Sequence, residues 1–339
     1  MIDGKDISVV VQGTVEDVIT KKCLESVRKY LPAAELILST WEGCNVYELD
    51  FDAIVINTDP GSEVFENCKN PKQYNLNRIL LSSQAGIQKA NRKYILKCRS
   101  DSEMVGTGFI ERFEHYPKRN AKYVLSNNRI VIGSIYSHRY QRQDGYTHPT
   151  PYYITDWYCF GLKEDIKMLY VIPLVNTHEF AKYYEIHHRP RDFKIKWMNR
   201  RLWRFPPEQY IGVCFAKRKF PSLEFNDCLS YDKVDLNIAE QFIINNFIIL
   251  NPMDYGIVLN KWPYDVYSRN IGKVNIHSYD GMYRTYVYER LYKKYCDRAY
   301  KISASKDPDK QSRIGWMKEN NIMPYKVQVV KNLLNYIIK

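Results

Sequence analysis

The chain has 339 residues, 45% of them apolar, and a formal charge of +12. That is enough for one large domain, or a core with an appended subdomain, around a sizeable hydrophobic interior. No run approaches the roughly 18 consecutive apolar residues of a membrane span, and the N-terminal MIDGKDISVVVQG lacks the basic start and long apolar run of a signal peptide, so the expected place is the cytoplasm or the cytoplasmic face of a membrane.

Ile7 to Val11 is a short β-branched run and predicts a buried strand. Thr14 follows Gln12-Gly13 as an N-cap, with Asp17 three residues on in an approximate capping box. Val15, Ile19, Cys23 and Val27 then recur at helical spacing, and Pro32 closes that helix. Glu35 to Ser39 and Ala53 to Ile56 read as the next two strands, and Asp59-Pro60-Gly61 as a turn. Leu76 to Ala90 predicts a longer helix with Leu76, Leu80, Ile87 and Ala90 toward the core. Tyr94 to Lys97 is a further strand, followed closely by two carboxylates one residue apart, Asp101 and Glu103. Strands alternating with helices imply βαβ units, hence the α/β class with a mostly parallel sheet flanked by helices.

Beyond Gly108 the pattern loosens. Tyr123 to Leu125 and Ile130 to Tyr136 read as strands around an Asn127-Asn128 turn, and Tyr152 to Gly161 (YYITDWYCFG) as an aromatic strand interrupted by Asp156. Glu208 to Lys217 reads as a helix, Ala239 to Leu250 as a buried helix or strand, and the tail from Tyr325 as a helix. The expected organisation is one domain over residues 1–235, with halves at 1–105 and 106–235. A C-terminal helical elaboration, residues 236–339, would pack on it.

Ligands on open α/β sheets bind beyond the carboxyl ends of the strands. Gln12-Gly13, Thr40, Asp59 and Arg99-Asp101 all fall at or just past such ends, which argues for one shared site. Asp101 and Glu103 are hard oxygen donors suited to a divalent metal, Mn or Mg, with a diphosphate completing the shell. The competing reading is a solvated turn in which Asp101 caps a helix. Lys97, Arg99 and Arg78 either bind phosphate oxygens or pair with nearby carboxylates. Asp156 sits in an apolar run and needs a partner or a purpose: it orients an acceptor hydroxyl, acts as base, or is bound by backbone N–H groups at a turn. Glu208 opens a helix after Pro206-Pro207, where the dipole favours the anion; its functional reading is a general base.

Eight cysteines form no C-x-x-C pair, so a zinc site is not expected and reduced thiols are. His178, His187 and His188 show no metal-ligand spacing, and His277 at most completes a metal shell. No G-x-G-x-x-G, G-K-[ST] or G-x-S-x-G occurs, which removes the main support for dinucleotide, P-loop and α/β-hydrolase readings. The positive charge suits anionic partners without choosing among nucleic acid, a phosphorylated substrate and an anionic membrane. Phe193 to Phe205 (FKIKWMNRRLWRF) fits a membrane surface, a nucleic-acid contact, or a basic loop with buried aromatics.

The segments ISVVVQGTV, CLESVRKYLPAAELILSTWEG, NTDPG, NLNR and KCRSD, in that order over residues 7–105, resemble the WavE lipopolysaccharide-synthesis family, glycosyltransferases of the GT-A type. TDWYCFG, PEQY and AEQFIINNFIIL, with Lys261 beyond, extend the resemblance. It implies a GT-A-like, Rossmann-like fold, a nucleotide-sugar donor, and an oligosaccharide or lipid-linked saccharide acceptor in lipopolysaccharide or capsular polysaccharide biosynthesis, with no specific nucleic acid. Asp101 and Glu103 then fall on the D-x-D metal position, with Glu for the last Asp. Gln12, Gly13, Asp59, Asn77 and Arg78 would line the donor site, and Glu208 in PEQY would be preferred over Asp156 as catalytic base. The alternatives are a non-catalytic anionic-polymer binder and a sugar-phosphate or nucleotidyl transferase.

Overall fold

The computed structural model describes residues 2–65, 72–143, 146–189, 201–259 and 281–304. Lys261, His277, the tail from Tyr325 and residues 193–200 of the basic aromatic segment lie outside these. In chain order the elements are β1 (Ile7–Gln12), α1 (Asp17–Tyr30), β2 (Glu35–Trp41), β3 (Ala53–Asn57), β4 (Glu63–Val64), β5 (Gln73–Tyr74), α2 (Leu76–Lys89), β6 (Tyr94–Arg99), β7 (Ser102–Met104) and α3 (Gly108–Arg112). Then come β8 (Ile130–Gly133), β9 (His138–Gln143), β10 (Tyr146–Tyr153), β11 (Tyr158–Leu162), α4 (Lys163–Tyr170), α5 (Thr177–Ala181) and α6 (Tyr183–Ile186). The series ends with α7 (Pro207–Lys219), α8 (Leu236–Asn246), β12 (Phe247–Leu250), α9 (Pro252–Tyr255), β13 (Ile257–Leu259) and α10 (Thr285–Tyr295).

Every residue of β1 is buried, so this strand needs cover on both faces and a partner on each edge. It pairs in parallel with β2 on one side and β6 on the other. The seven-stranded sheet runs β12-β8-β11-β6-β1-β2-β3, and only β11 is antiparallel to its neighbours. Helix α2 packs on β1, β2 and β3, and α4 on β6 and β11. The outcome is a Rossmann-like, mixed and mostly parallel α/β sheet. None of the described helices is long and apolar enough to cross a membrane.

Several local expectations shift for identifiable reasons. Helix α1 starts at Asp17 with Glu16, not Thr14, at its N-cap. Gly13 takes a φ of +123°, which diverts the chain out of β1 before a helix can begin. Thr14 instead offers its carbonyl to the Ser100 hydroxyl at 2.6 Å. Tyr123 to Leu125 is no strand: the Leu125 and Ser126 amides donate to Asn246 Oδ1. The Asn127-Asn128 turn is held by its two amides donating to the Asp165 carboxylate.

The run from Ala239 to Leu250 is both helix and strand. Asp235 caps α8 by accepting from the Asn237 and Ile238 amides. Asn246 ends it by turning its side chain back to the Phe242 and Tyr123 carbonyls. FIIL then enters the sheet as β12, so residues beyond 235 complete the sheet edge beside β8.

Helix α7 lies directly on β10. Gly212 permits this: a β-carbon there would overlap the Tyr152 carbonyl. Gly212→Ala is therefore expected to lower unfolding stability by about 1–3 kcal/mol, despite the better helix propensity of alanine. Equilibrium denaturation of both proteins checks this; an unchanged or raised midpoint would show that α7 can stand off β10.

Candidate active site

The chain leaves β1 toward β2 on one side and reaches β6 on the other, so β1 and β6 meet at a topological switch point. Ligands bind there in open α/β sheets, in the crevice past the carboxyl ends. A cleft of ≈ 240 Å³ opens at that place. Its walls come from the end of β1 (Gln12, Gly13), the following loop (Thr14, Glu16), and Trp41 ending β2. The start of α2 adds Asn75, Arg78 and Ile79, the end of β6 adds Arg99 to Asp101, and the link between β10 and β11 adds Asp156.

The charged groups are ordered by each other. Both Asp101 oxygens accept from Arg99, at 2.8 and 2.7 Å, and the aspartate is 4% exposed. Burial works against the Arg99 charge, yet its pairing with Asp101, with the Asp156 and Glu208 carboxylates beyond, raises its pKa above the ordinary value. Arg78 is gripped in the same way by Asp59, at 2.7 and 2.6 Å. Gln12 accepts from Ser82 at 2.5 Å, which fixes its side chain at the rim of the strand end.

Asp156 is 2% exposed, and its Oδ1 has no hydrogen-bond partner among the described residues. A buried carboxylate oxygen without a donor is costly, so this atom is poised for a ligand. Glu208, in the first turn of α7, keeps a small opening to solvent but is otherwise surrounded by protein. Burial first, and the Asp156 charge second, push its carboxyl from an ordinary 4.5 up to about 8, against the pull of its backbone amide, Arg99 and the Tyr153 hydroxyl. That hydroxyl donates to Glu208 at 3.5 Å, the outer limit of a hydrogen bond.

Not every expected residue reaches the cleft. Glu103 lies on β7, which pairs with β13, and its carboxylate meets Lys22 of α1 at 3.0 Å. Lys97 is fully buried, donates to the Asp156 carbonyl and lies over the Tyr170 ring, so it is no phosphate ligand here. Thr40 is fully buried in β2, while Trp41 beside it lines the cleft. Asn77 ties α2 to Val175 and Thr177 through its amide. Asp59 acts on the cleft only by orienting Arg78.

Among the described residues no three His, Cys, Asp or Glu side chains converge on one point. A hard divalent ion could still be held by two carboxylates, with diphosphate oxygens and water in the remaining positions. The candidate pair is Asp101 with Asp156: both line the cleft and Asp156 carries the orphaned oxygen, while Asp101 would have to share its oxygens with Arg99. The Asp101–Glu103 pair does not fit, since Glu103 is turned to Lys22.

The model of the family "WavE lipopolysaccharide synthesis" matches residues 7–311. The chain belongs to the WavE lipopolysaccharide synthesis family. No curated protein matches it. Among solved structures it is similar to 4-diphosphocytidyl-2C-methyl-D-erythritol synthase from Anaerococcus prevotii, at 14% identity and a TM-score of 0.31, over 65% of this chain and 100% of that one.

Sequence reasoning missed four aromatic residues of this WavE site. Trp41 was within reach of the strand-end rule. Trp157, next to Asp156, packs at a 55° tilt against Tyr136, with ring centroids 4.9 Å apart, and carries Arg99 over its ring at 5.6 Å. Tyr136 takes a φ of +59°, a left-handed conformation rare for a bulky residue; no local pattern announces it. Tyr153 reaches Glu208 only because α7 approaches β10 so closely.

The raised Glu208 pKa has a stability consequence. Folded Glu208 holds its proton in a range where an unfolded glutamate, near 4.5, has lost it. The folded state thus binds more protons between about 4.5 and about 8, and stability falls as pH rises through that window. In metal-free protein, Glu208→Gln is expected to flatten this slope and to add at least ~1 kcal/mol above the window. Denaturant titrations at acid and alkaline pH read it; identical slopes in the two proteins would mean that Glu208 ionises freely.

Proposed function

We propose that the cleft binds a nucleotide-sugar and that the protein transfers its sugar to a saccharide hydroxyl in lipopolysaccharide or capsular polysaccharide synthesis. The observation that carries this reading is the orphaned, buried Asp156 oxygen in a switch-point cleft, with the protonatable Glu208 beside it. Family membership supplies the polysaccharide context.

The lining's three carboxylates, Glu16, Asp101 and Asp156, outnumber its two guanidinium groups, Arg78 and Arg99. A diphosphate entering such a cleft needs added positive charge. A divalent cation held by Asp101 and Asp156, Mn or Mg, supplies it when bound, compensating the charge that builds on the departing diphosphate. Arg78 and Arg99, already oriented by Asp59 and Asp101, face the donor with planar donor groups suited to phosphate oxygens. Gly13, with no side chain, leaves the end of β1 open to close approach by the nucleotide.

Glu208, in its deprotonated form, takes the proton of the acceptor hydroxyl as the acceptor oxygen bonds to the anomeric carbon. The bond from that carbon to the diphosphate breaks, and its electron pair leaves with the nucleoside diphosphate. One base placed opposite the leaving group suits inversion. The acceptor we infer is an oligosaccharide or lipid-linked saccharide, and the charge of +12 favours its meeting the enzyme at an anionic membrane face.

Nucleoside diphosphates are expected to raise the melting temperature by mass action, and more strongly with Mn²⁺ or Mg²⁺ than with chelator. Asp156→Asn should lose the metal-dependent part. Equal shifts with and without metal would remove the cation, and no shift from any nucleoside diphosphate would remove the donor site. In transfer assays, Glu208→Gln should cost about 10²- to 10⁴-fold in kcat while nucleotide binding persists. A transfer rate equal to wild type would take Glu208 out of the chemistry.

A further inference from the structure

A second cavity, of ≈ 160 Å³, lies between the β9–β10 hairpin, the start of α7 and the Arg201–Trp203 segment. It is smaller than the ~300–1,000 Å³ typical of sites that engulf a drug-sized ligand, which fits one end of a chain-like ligand. Tyr136, Tyr153 and Trp203 supply aromatic surface, and Gln141 and Thr150 supply polar groups. Thr150 is 3% exposed, and its hydroxyl has no hydrogen-bond partner among the described residues; the Trp203 indole N–H is likewise unmatched.

Among the described residues the lining contains no carboxylate. Its one guanidinium, Arg201, lies over the Phe65 and Trp203 rings. Burial lowers the pKa of His148 to about 4, so that ring is neutral at physiological pH. Aromatic surface with orphaned neutral donors and acceptors suits an uncharged polyhydroxylated ring. Its C–H face would pack on the aromatics while its hydroxyls pair with Thr150 and the indole.

The cavity and the cleft have no lining residue in common among the described residues, but side chains between them connect the two. Tyr153 lines the cavity and donates to Glu208. Tyr136 lines the cavity and packs on Trp157, over which Arg99 of the cleft lies. Glu208 lines neither space, but it is linked to the cavity through Tyr153 and to the cleft through the Asp156 and Arg99 charges.

We propose that this cavity is the acceptor subsite, holding a neutral sugar ring so that one hydroxyl meets Glu208. The inference rests on the glycosyl-transfer reading above. Methyl glycosides of the common hexoses and N-acetylhexosamines are the probes, titrated into the full chain and read by tryptophan fluorescence, with nucleoside diphosphate binding followed in parallel by thermal shift. Saturable binding of at least one glycoside is expected, weakened about three- to tenfold in Thr150→Val and in Gln141→Leu, the size of one lost hydrogen bond. Nucleotide binding should persist in both variants. If no glycoside binds, or if affinity is unchanged in both variants, the subsite is wrong, and intact nucleotide binding would leave the cleft reading standing. Failure of nucleotides to bind wild type would remove the transfer reading, whatever the glycosides do.

Discussion

The site hangs on an ammonium group that solvent does not touch. Lys97 rises from β6 into the protein interior and donates to the carbonyl of Asp156, with the Tyr170 ring beneath it. The Tyr170 hydroxyl reaches the same carbonyl at 3.4 Å. Burying a charge costs several kcal/mol unless it is well paired, and burial does lower the Lys97 pKa, opposed by the Asp156 charge. What the arrangement secures is position. The link from β10 to β11 has no ladder of its own, and Lys97 ties it to the central strand that also carries Arg99 and leads directly into Asp101.

From that tie follows the electrostatic character of the cleft. Asp101 has its guanidinium, Asp59 has another, and Glu103 has Lys22. Asp156 has a cation near its backbone but no donor on Oδ1. Its charge, shared with Arg99 and Lys97, is also felt next door, where it adds to burial in holding a proton on Glu208. The two carboxylates thus differ through their surroundings alone: Asp156 presents an oxygen with no donor among the described residues, and Glu208 is pushed up to a pKa of about 8. On the proposed reading the same neighbourhood would tie donor occupancy to the base, because positive charge brought near Asp156 weakens the reason for Glu208 to stay protonated.

Much of the scaffold was legible because it is local. β1, β2, β6 and α2 declare themselves through β-branched runs and helical spacing, and the strand-end rule led to Gln12, Gly13 and Arg99–Asp101. What misled was spacing without geometry. Asp101 and Glu103 are one residue apart, which on a continuous strand would put them on one face. The chain instead leaves β6 at Arg99, turns through Ser100 and Asp101, and begins β7 at Ser102. The two carboxylates therefore belong to different elements with different partners. Lys97 and Arg99 show the converse: both project from the same face of β6, yet one lies inside the fold and the other at its mouth, and depth along a strand is not written in alternation.

The residues that join the two cavities were the least legible, and the reason is topological. Tyr136 and Tyr153 carry no motif, and although Glu208 stands out in PEQY at a helix start, nothing local places it beside them. They meet because Gly212 lets α7 lie against the Tyr152 carbonyl, and because Tyr152 and Tyr136 both accept left-handed backbone angles, +58° and +59°. Such conformations cost of order 1–3 kcal/mol each and persist only where the surroundings over-determine them. Here the surroundings are the hairpin, α7 and the Trp157 ring. A loop relaxed to ordinary angles would turn Tyr136 away from Trp157 and open the wall beside Glu208 to water. The strained tyrosines are thus best understood as the fold's means of closing that wall, which keeps the Glu208 carboxyl desolvated enough to hold a proton near neutral pH.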